Sequence, residues 1–195
     1  MLANRYFGLR HGESEANLAG IVLSDPAAGT AGWGLTERGR VQVQASIAAC
    51  GLSDSTRIVS SDFRRALETA ELARDGLGAA GIELRVELRE RAFGTWEGQS
   101  NDAYEQVWAL DARDPSHRAH GVESVRCVLE RLLRLLDELE ASPSGQAILL
   151  VAHGDPLQIL QTALLGFEPS THREREPWRP GELRALTEAG PRTIK

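Results

Sequence analysis

Strand-length runs of apolar or alternating residues recur along this chain with helix-period segments between them, and no other feature restricts the possible folds as strongly. Tyr6 to Leu9 and Arg57 to Ser60 are the first two such runs. Leu84, Val86 and Leu88 alternate with Glu83, Arg85 and Glu87, the period of a half-buried strand. Ile148 to Ala152 reads as a buried strand, and Glu182 to Leu186 as a last one. Thr36 starts a capped helix that carries Val41, Ala45, Ile47 and Ala48 and stops at Gly51. Ser60, Ser61 and Asp62 are N-cap types ahead of Phe63, Ala66, Leu67, Ala70 and Ala73 at helical spacing, which sets Arg65 in a first turn. A short helix is expected from Asn101 to Leu110. A stronger one presents Val122, Val125, Val128, Leu129, Leu132, Leu133, Leu136 and Leu139 on one broad face, punctuated by Pro143, Ser144 and Gly145. Asp155 is expected to cap a further helix with Pro156 in its first turn, running through Leu165. Parallel neighbours need helical crossovers, so the alternation predicts an α/β fold, a three-layer α/β/α sandwich around a mostly parallel sheet. With 195 residues, 42% of them hydrophobic, residues 1–195 are expected to form a single domain.

Open α/β sheets bind ligands beyond the C-terminal ends of their strands. Arg10, His11, Arg65, Glu90 and His153 all fall just after predicted strands, so distant segments point toward one rim. Their chemistry suits phosphoryl transfer. A neutral imidazole is a competent nucleophile near neutral pH, and His11 is the candidate. Planar, permanently charged guanidinium groups can hold equatorial phosphoryl oxygens, a task for Arg10 and Arg65. The helix start after His153 adds oriented backbone donors, with Gly154 permitting close approach. A carboxyl group crowded by anions can stay protonated and serve a departing alkoxide, a role for Glu90.

Simpler readings stand beside these. Either histidine alone could be structural, Arg64 competes with Arg65, and Glu13, Glu87 and Glu97 are alternatives to Glu90. Trp33, Trp96, Trp108 and Trp178 read as packing groups. Arg113, His117, Arg118 and His120, like His172, Arg173 and Arg175, could flank a pocket, with a solvated loop as the simpler reading of each. Segments 18–34, 91–121 and 167–181 are expected to shape the mouth of any pocket.

Several function classes are excluded. A net charge of -6 argues against a nucleic-acid binder, because such affinity rests on clustered Lys and Arg. No apolar run approaches the length of a membrane span, and the N-terminal stretch lacks a secretory pattern, which together predict a cytoplasmic protein. Cys50 and Cys127, each within a helical pattern, read as reduced, core-facing thiols. No paired-cysteine or His-Glu-x-x-His signature calls for a metal, and no cofactor is implied. The pattern carries no reading of oligomeric state.

Leu9-Arg10-His11-Gly12-Glu13-Ser14-Glu15-Ala16-Asn17 resembles the opening motif of the histidine phosphatase superfamily, also called phosphoglycerate mutase-like. Further matches follow in order: Leu35 to Gly39, Ser60 to Ala66 with Thr69-Ala70, Leu88 to Gly98, and Val151 to Gly154. The resemblance implies a phosphatase that forms a phosphohistidine on His11. It assigns Arg10, Arg65 and His153 to the phosphoryl group, Glu90 to acid and base catalysis, and Asn17 to the phosphate pocket. Arg65 rather than Arg64 matches the arginine that precedes Ala66. Ala16 departs from the Trp common before that Asn, and Gly121-Val122-Glu123-Ser124 from Gly-Gly-Glu-Ser. The implied substrate is a small phosphorylated metabolite. Alternatives are a phosphoglycerate mutase, disfavoured by analogy because the chain lacks the mutases' insertions, a noncatalytic phospholigand-binding module, and a metal-dependent hydrolase using His11, His153 and Asp155.

Overall fold

Residues 148–152 have no accessible surface, which requires a central strand covered on both faces. In the computed structural model, which describes residues 2–141 and 144–187, that strand is β4 (Ala147–Ala152). It lies between β2 (Arg57–Ser60) and β1 (Arg5–Arg10), parallel to both. β3 (Ile82–Leu84) extends the sheet in parallel beyond β2, and β5 (Leu183–Ala185) closes the other edge antiparallel to β1. The order is β3-β2-β4-β1-β5. The helices are α1 (Glu15–Ala19), α2 (Pro26–Ala31), α3 (Glu37–Ala49), α4 (Arg64–Leu77), α5 (Ala103–Asp111), α6 (Val125–Glu140) and α7 (Gly154–Leu164).

Successive β4 side chains serve opposite layers, as the two-residue period demands. Ile148, Leu150 and Ala152 join Val128, Leu132 and Leu136 of α6 and Leu157 and Leu160 of α7. Leu149 and Val151 join Val43 and Ile47 of α3 and Ala66, Ala70 and Ala73 of α4. The predicted three-layer sandwich with a mostly parallel sheet is the observed fold. Each large aliphatic side chain so buried stabilises it by roughly 1.5–3 kcal/mol. Ser124 caps α6 by accepting from the Cys127 N–H.

The layering also aligns the strand ends. Beyond β1 the His11 N–H donates to Ala152, and beyond β2 the Ser61 N–H donates to Val151, each at 3.0 Å. His11, Ser61 and His153 therefore leave the sheet side by side. The loop carrying His11 then crosses the start of α3 at backbone contact. A Cβ on Gly12 would sit 2.4 Å from the Gly39 carbonyl oxygen, and one on Gly39 would sit 2.1 Å from that of Glu13. Thr36, the cap of α3, ties the crossing down, its N–H donating to the Glu13 carbonyl and its hydroxyl to the Glu13 carboxylate.

Several local expectations need correction. The alternating segment 83–88 is a strand only to Leu84, because Leu84 and Val86 face solvent at 49% and 55% exposure and the chain turns through a 3-10 segment, Val86–Leu88, to bury Leu88. The charged alternates Glu83, Arg85 and Glu87 pair with one another, which produces the period without a second buried face. Phe63, not a polar residue, is the N-cap of α4, and Ser61 instead accepts from the Phe63 N–H. His153 is the N-cap of α7, which places Asp155 inside its first turn. Cys50 lies at the end of α3 rather than within it, and both free cysteines are half-buried rather than core-facing. The short helices α1 and α2 have no counterpart in the periodicity. Pro143 lies outside the described residues.

Candidate active site

The crossing of Gly12 and Gly39 presses the His11 ring into the protein, and its hydrogen bonds identify the tautomer. Nδ1 lies 2.7 Å from the Gly12 carbonyl oxygen, which can only accept, so Nδ1 carries the proton. Nε2 faces the Arg65 Nε–H at 3.1 Å, a group that can only donate, so Nε2 presents its lone pair. Burial, with the charges of Arg65 and Arg10 adding to it, holds the His11 pKa well below the usual histidine range. The ring is therefore neutral around pH 7, with its unprotonated lone pair on a defined atom.

Cations and donors are grouped around that atom. Arg65, in the first turn of α4, also donates through Nη2 to the Leu23 carbonyl at 3.0 Å, and Arg10 donates through Nη1 to the Trp178 carbonyl at 2.5 Å. Burial lowers the proton affinity of both, Arg65 to about 10, which leaves each charged at neutral pH. The His153 ring stands edge-on to His11 with centroids 5.2 Å apart. Its Nε2 lies 3.0 Å from the Ser61 hydroxyl, and burial, followed by the charge of Arg65, lowers its pKa as well. Arg10 Nε, Arg65 Nη1 and His153 Nδ1 are buried without a hydrogen-bond partner among the described residues. Unsatisfied buried polar groups cost about 1–3 kcal/mol each, more when charged. A tetrahedral oxyanion group beside His11 Nε2 would satisfy them.

Glu90 lies in the same cleft, of about 220 Å³, with Arg10, His11, Arg65 and Gly154. Burial, reinforced by the negative charge of Asp155, pushes its carboxyl up to about 7 against the opposing effects of Arg65, the Arg91 N–H and Arg10. It can hold or release a proton near neutrality. The competing carboxylates are engaged elsewhere: Glu87 with Arg85, Glu97 with both the N–H and hydroxyl of Ser24, and Glu13 with Thr36. Arg64 pairs with Glu68, which leaves Arg65 as the arginine at the cleft. Asn17 lies at the rim, where its Oδ1 accepts from the Ser14 N–H and hydroxyl and closes the cap of α1. Space alone does not demand glycine at 154, because an added Cβ would meet Arg10 Cζ at 3.5 Å, an ordinary contact.

Arg91 and Asp111 had no functional reading from sequence. Arg91 is completely buried, forked onto Asp111 with both bonds at 2.7 Å, and reaches Asp155 at 3.3 Å. Asp111 also pairs with His117 Nε2 at 2.8 Å. Asp155 accepts from the Trp108 indole N–H at 3.1 Å and lies 3.7 Å from Arg173. Burial would raise its pKa, but His172, Arg91, Arg173 and the Trp108 bond outweigh that and lower it. Asp155 thus turns toward Arg91, Trp108 and Arg173 rather than completing a metal set with the histidines. Trp108 and Trp178 line the cleft, contrary to their reading as packing groups, and so does Arg173, as the pocket-flanking reading of that residue had it. All three segments expected at the mouth contribute, with Leu23 from the first, Phe93 and Tyr104 from the second, and Pro177 from the third. The only early signal for Arg91 was its place beside Glu90.

The sequence matches the family model of the histidine phosphatase superfamily, branch 1, over residues 7–192. It is 36% identical over 178 residues to a glucosyl-3-phosphoglycerate phosphatase of Mycolicibacterium vanbaalenii, covering 86% of this chain and 76% of that protein. It is 30% identical over 175 residues to a probable phosphoglycerate mutase of Erwinia tasmaniensis, covering 85% and 76%. A solved structure of a mycobacterial glucosyl-3-phosphoglycerate phosphatase complexed with VO3 superimposes with a TM-score of 0.77 at 28% identity, covering 92% of this chain and 90% of that one.

Proposed function

The chain belongs to the histidine phosphatase superfamily, and from that premise we propose that it is a phosphomonoesterase that hydrolyses a small phosphorylated metabolite through a phosphohistidine on His11. The observation that carries this reading is the tautomer of His11: Nδ1–H is committed to the Gly12 carbonyl, and the Nε2 lone pair faces the cationic cluster. In the first step Nε2 attacks phosphorus, the bond from phosphorus to the ester oxygen breaks, and Glu90 gives its proton to that oxygen. Arg10, Arg65 and His153, whose Nδ1 carries the proton when Nε2 accepts from the Ser61 hydroxyl, hold the three equatorial oxygens. In the second step the Glu90 carboxylate takes a proton from water, whose oxygen attacks phosphorus and breaks the P–N bond. Phosphate leaves, and His11 and Glu90 regain their starting forms. A carboxyl with a pKa of about 7 is matched to both directions of transfer.

A cleft of about 220 Å³ suits a small ester. Relatives named for phosphatase activity on a phosphorylated glucosyl acid support hydrolysis, and one named as a probable phosphoglycerate mutase keeps transfer to a sugar acid as the rival outcome. The proposed steps use no metal, and Asp155 is engaged by Arg91 and Trp108. The two free thiols fit a reducing, cytoplasmic setting. Among the described residues no helix is long and apolar enough to cross a membrane.

Rapid-quench trapping during p-nitrophenyl phosphate turnover tests the reading. We expect an acid-labile phosphoenzyme that requires His11, with phosphate released and no 2-phosphoglycerate formed from 3-phosphoglycerate in the presence of 2,3-bisphosphoglycerate. Efficient 2-phosphoglycerate formation would replace hydrolysis by mutase activity. Full turnover by a folded His11→Ala protein would remove the nucleophile assignment.

A further inference from the structure

Arg10 and Arg65 flank His11, yet the same cleft holds a third arginine that touches neither His11 nor its partners. Arg173 projects from a 3-10 segment, Pro169–Glu174, beside α7. Its guanidinium carbon lies 3.5 Å from the centroid of the Trp108 ring, and Nη1 lies 3.7 Å from Asp155 Oδ1. It makes no hydrogen bond with any described residue, and its side chain remains 26% exposed. Trp108 is itself fixed by its indole N–H to Asp155. Asp155 in turn shares its charge with Arg91, which is forked onto Asp111. The guanidinium is therefore held over the indole ring by a cation–π contact and by one longer-range ion pair, and its N–H donors form no hydrogen bond with described residues. A solvated arginine with no ligand role has no need of such a mount, whereas a receptor for a planar or tetrahedral anion gains from having its fork held in advance.

We propose that Arg173 determines specificity by receiving a second anionic group carried on the alcohol portion of the phosphomonoester. The proposal rests on the phosphomonoesterase reading for which oxygen leaves, and it adds the class of substrate: an acidic alcohol. Arg10 and Arg65 match the charge of the phosphoryl dianion. The distal anion then meets Arg173 at a wall that also carries Asn101 and Tyr104, whose side chains form no hydrogen bond with described residues and are free to meet alcohol groups. A carboxylate and a second phosphate share the required chemistry.

The test compares kcat/KM for 3-phosphoglycerate, 2,3-bisphosphoglycerate and glycerol 3-phosphate in the wild-type protein, Arg173→Gln and Arg173→Lys. We expect the wild type to favour an acidic ester over glycerol 3-phosphate. In Arg173→Gln that ratio should fall roughly tenfold to a hundredfold, chiefly through KM, the size of a lost charged hydrogen-bonded pair. Arg173→Lys should restore part of it. Whichever ratio collapses, that of the carboxylate or that of the bisphosphate, identifies the anion. Ratios unchanged by Arg173→Gln, or losses by one common factor on all three esters, overturn the proposal.

Calorimetric binding of the same three esters to His11→Ala, with and without Arg173→Gln, separates this inference from the one beneath it. Selective loss of acidic-ester binding without turnover in the wild type would sink hydrolysis and keep the anion site. Turnover with unchanged ratios and unchanged binding would do the reverse.

Discussion

The Nε–H of Arg65 donates to the Nε2 lone pair of His11 at 3.1 Å, so a cation proposed to hold the phosphoryl group is hydrogen-bonded to the attacking atom itself. A substrate phosphate must draw Arg65 onto its own oxygens before His11 can attack. The unused Nη1 of the same guanidinium is a second donor for that exchange.

Arg65→Gln should therefore affect two observables in opposite directions. Removing a preorganised cation should lower kcat/KM by roughly a hundredfold or more. The same change should raise the His11 pKa, because the charge of Arg65 contributes to holding it down. Histidine titration by NMR checks the second effect, and an unmoved His11 would show that the charge of Arg65 does not hold its proton affinity down.

The Glu90 carboxyl, pushed up to about 7, fixes the sign of a pH dependence. The first step needs its protonated form, so kcat/KM for an ester with a poor leaving group should fall as pH rises through about 7. Glu90→Gln should abolish that limb and lower turnover of alkyl phosphates by roughly 10²–10⁴-fold. Loss should be smaller with p-nitrophenyl phosphate, whose leaving group needs little help. Equal losses on both ester types would remove Glu90 from the acid role.

Asp155 helps hold the Glu90 carboxyl up, second to burial. Asp155→Asn keeps the shape and removes the charge, so the alkaline limb should move to lower pH. A pH profile of Asp155→Asn with an alkyl phosphate reads this directly, and an unshifted limb would mean that burial does all the work.

The buried fork between Arg91 and Asp111 is the point where the fold is most exposed to mutation. Asp111→Ala leaves a buried guanidinium with only Asp155 at 3.3 Å and the Glu123 carbonyl. Urea unfolding should show a loss of about 3 kcal/mol, the lower end for breaking a buried pair, because Asp155 remains. The double variant Arg91→Met with Asp111→Leu should lose less than the single Asp111→Ala.

Gly39→Ala should cost both stability and activity. Its Cβ would fall 2.1 Å from the Glu13 carbonyl oxygen, a clash that backbone movement alone can relieve, and that backbone carries the His11 turn. Overpacking of this kind costs about 1–3 kcal/mol. A Gly39→Ala protein as active and as stable as the wild type would show that the crossing does not position His11.

Local pattern determined much of this molecule. The run Arg57–Ser60 is β2 with the same ends, Thr36 and Gly51 bound α3, and Ile148 to Ala152 is the buried central strand. These features were legible because burial periodicity and capping act between residues close in sequence. The motifs around His11, Arg65 and His153 were legible because each follows one strand end or one helix start, whereas Glu90, expected at a strand end, follows the 3-10 segment Val86–Leu88. Tertiary structure alone decided how those pieces are wired. The His11 tautomer depends on Arg65, 54 residues away, and Arg91 finds Asp111 at 20 residues and Asp155 at 64. The segment 83–88 misled because charges that pair with one another at alternate positions imitate the period of a half-buried strand. Trp108 and Arg173 gave no joint signal because the contacts that bring them together, with each other and with Asp155, join segments far apart in sequence. Only the docking of 169–174 against α7 and Asp155 places the arginine over the indole, and a contact between segments so far apart leaves no periodic trace in either.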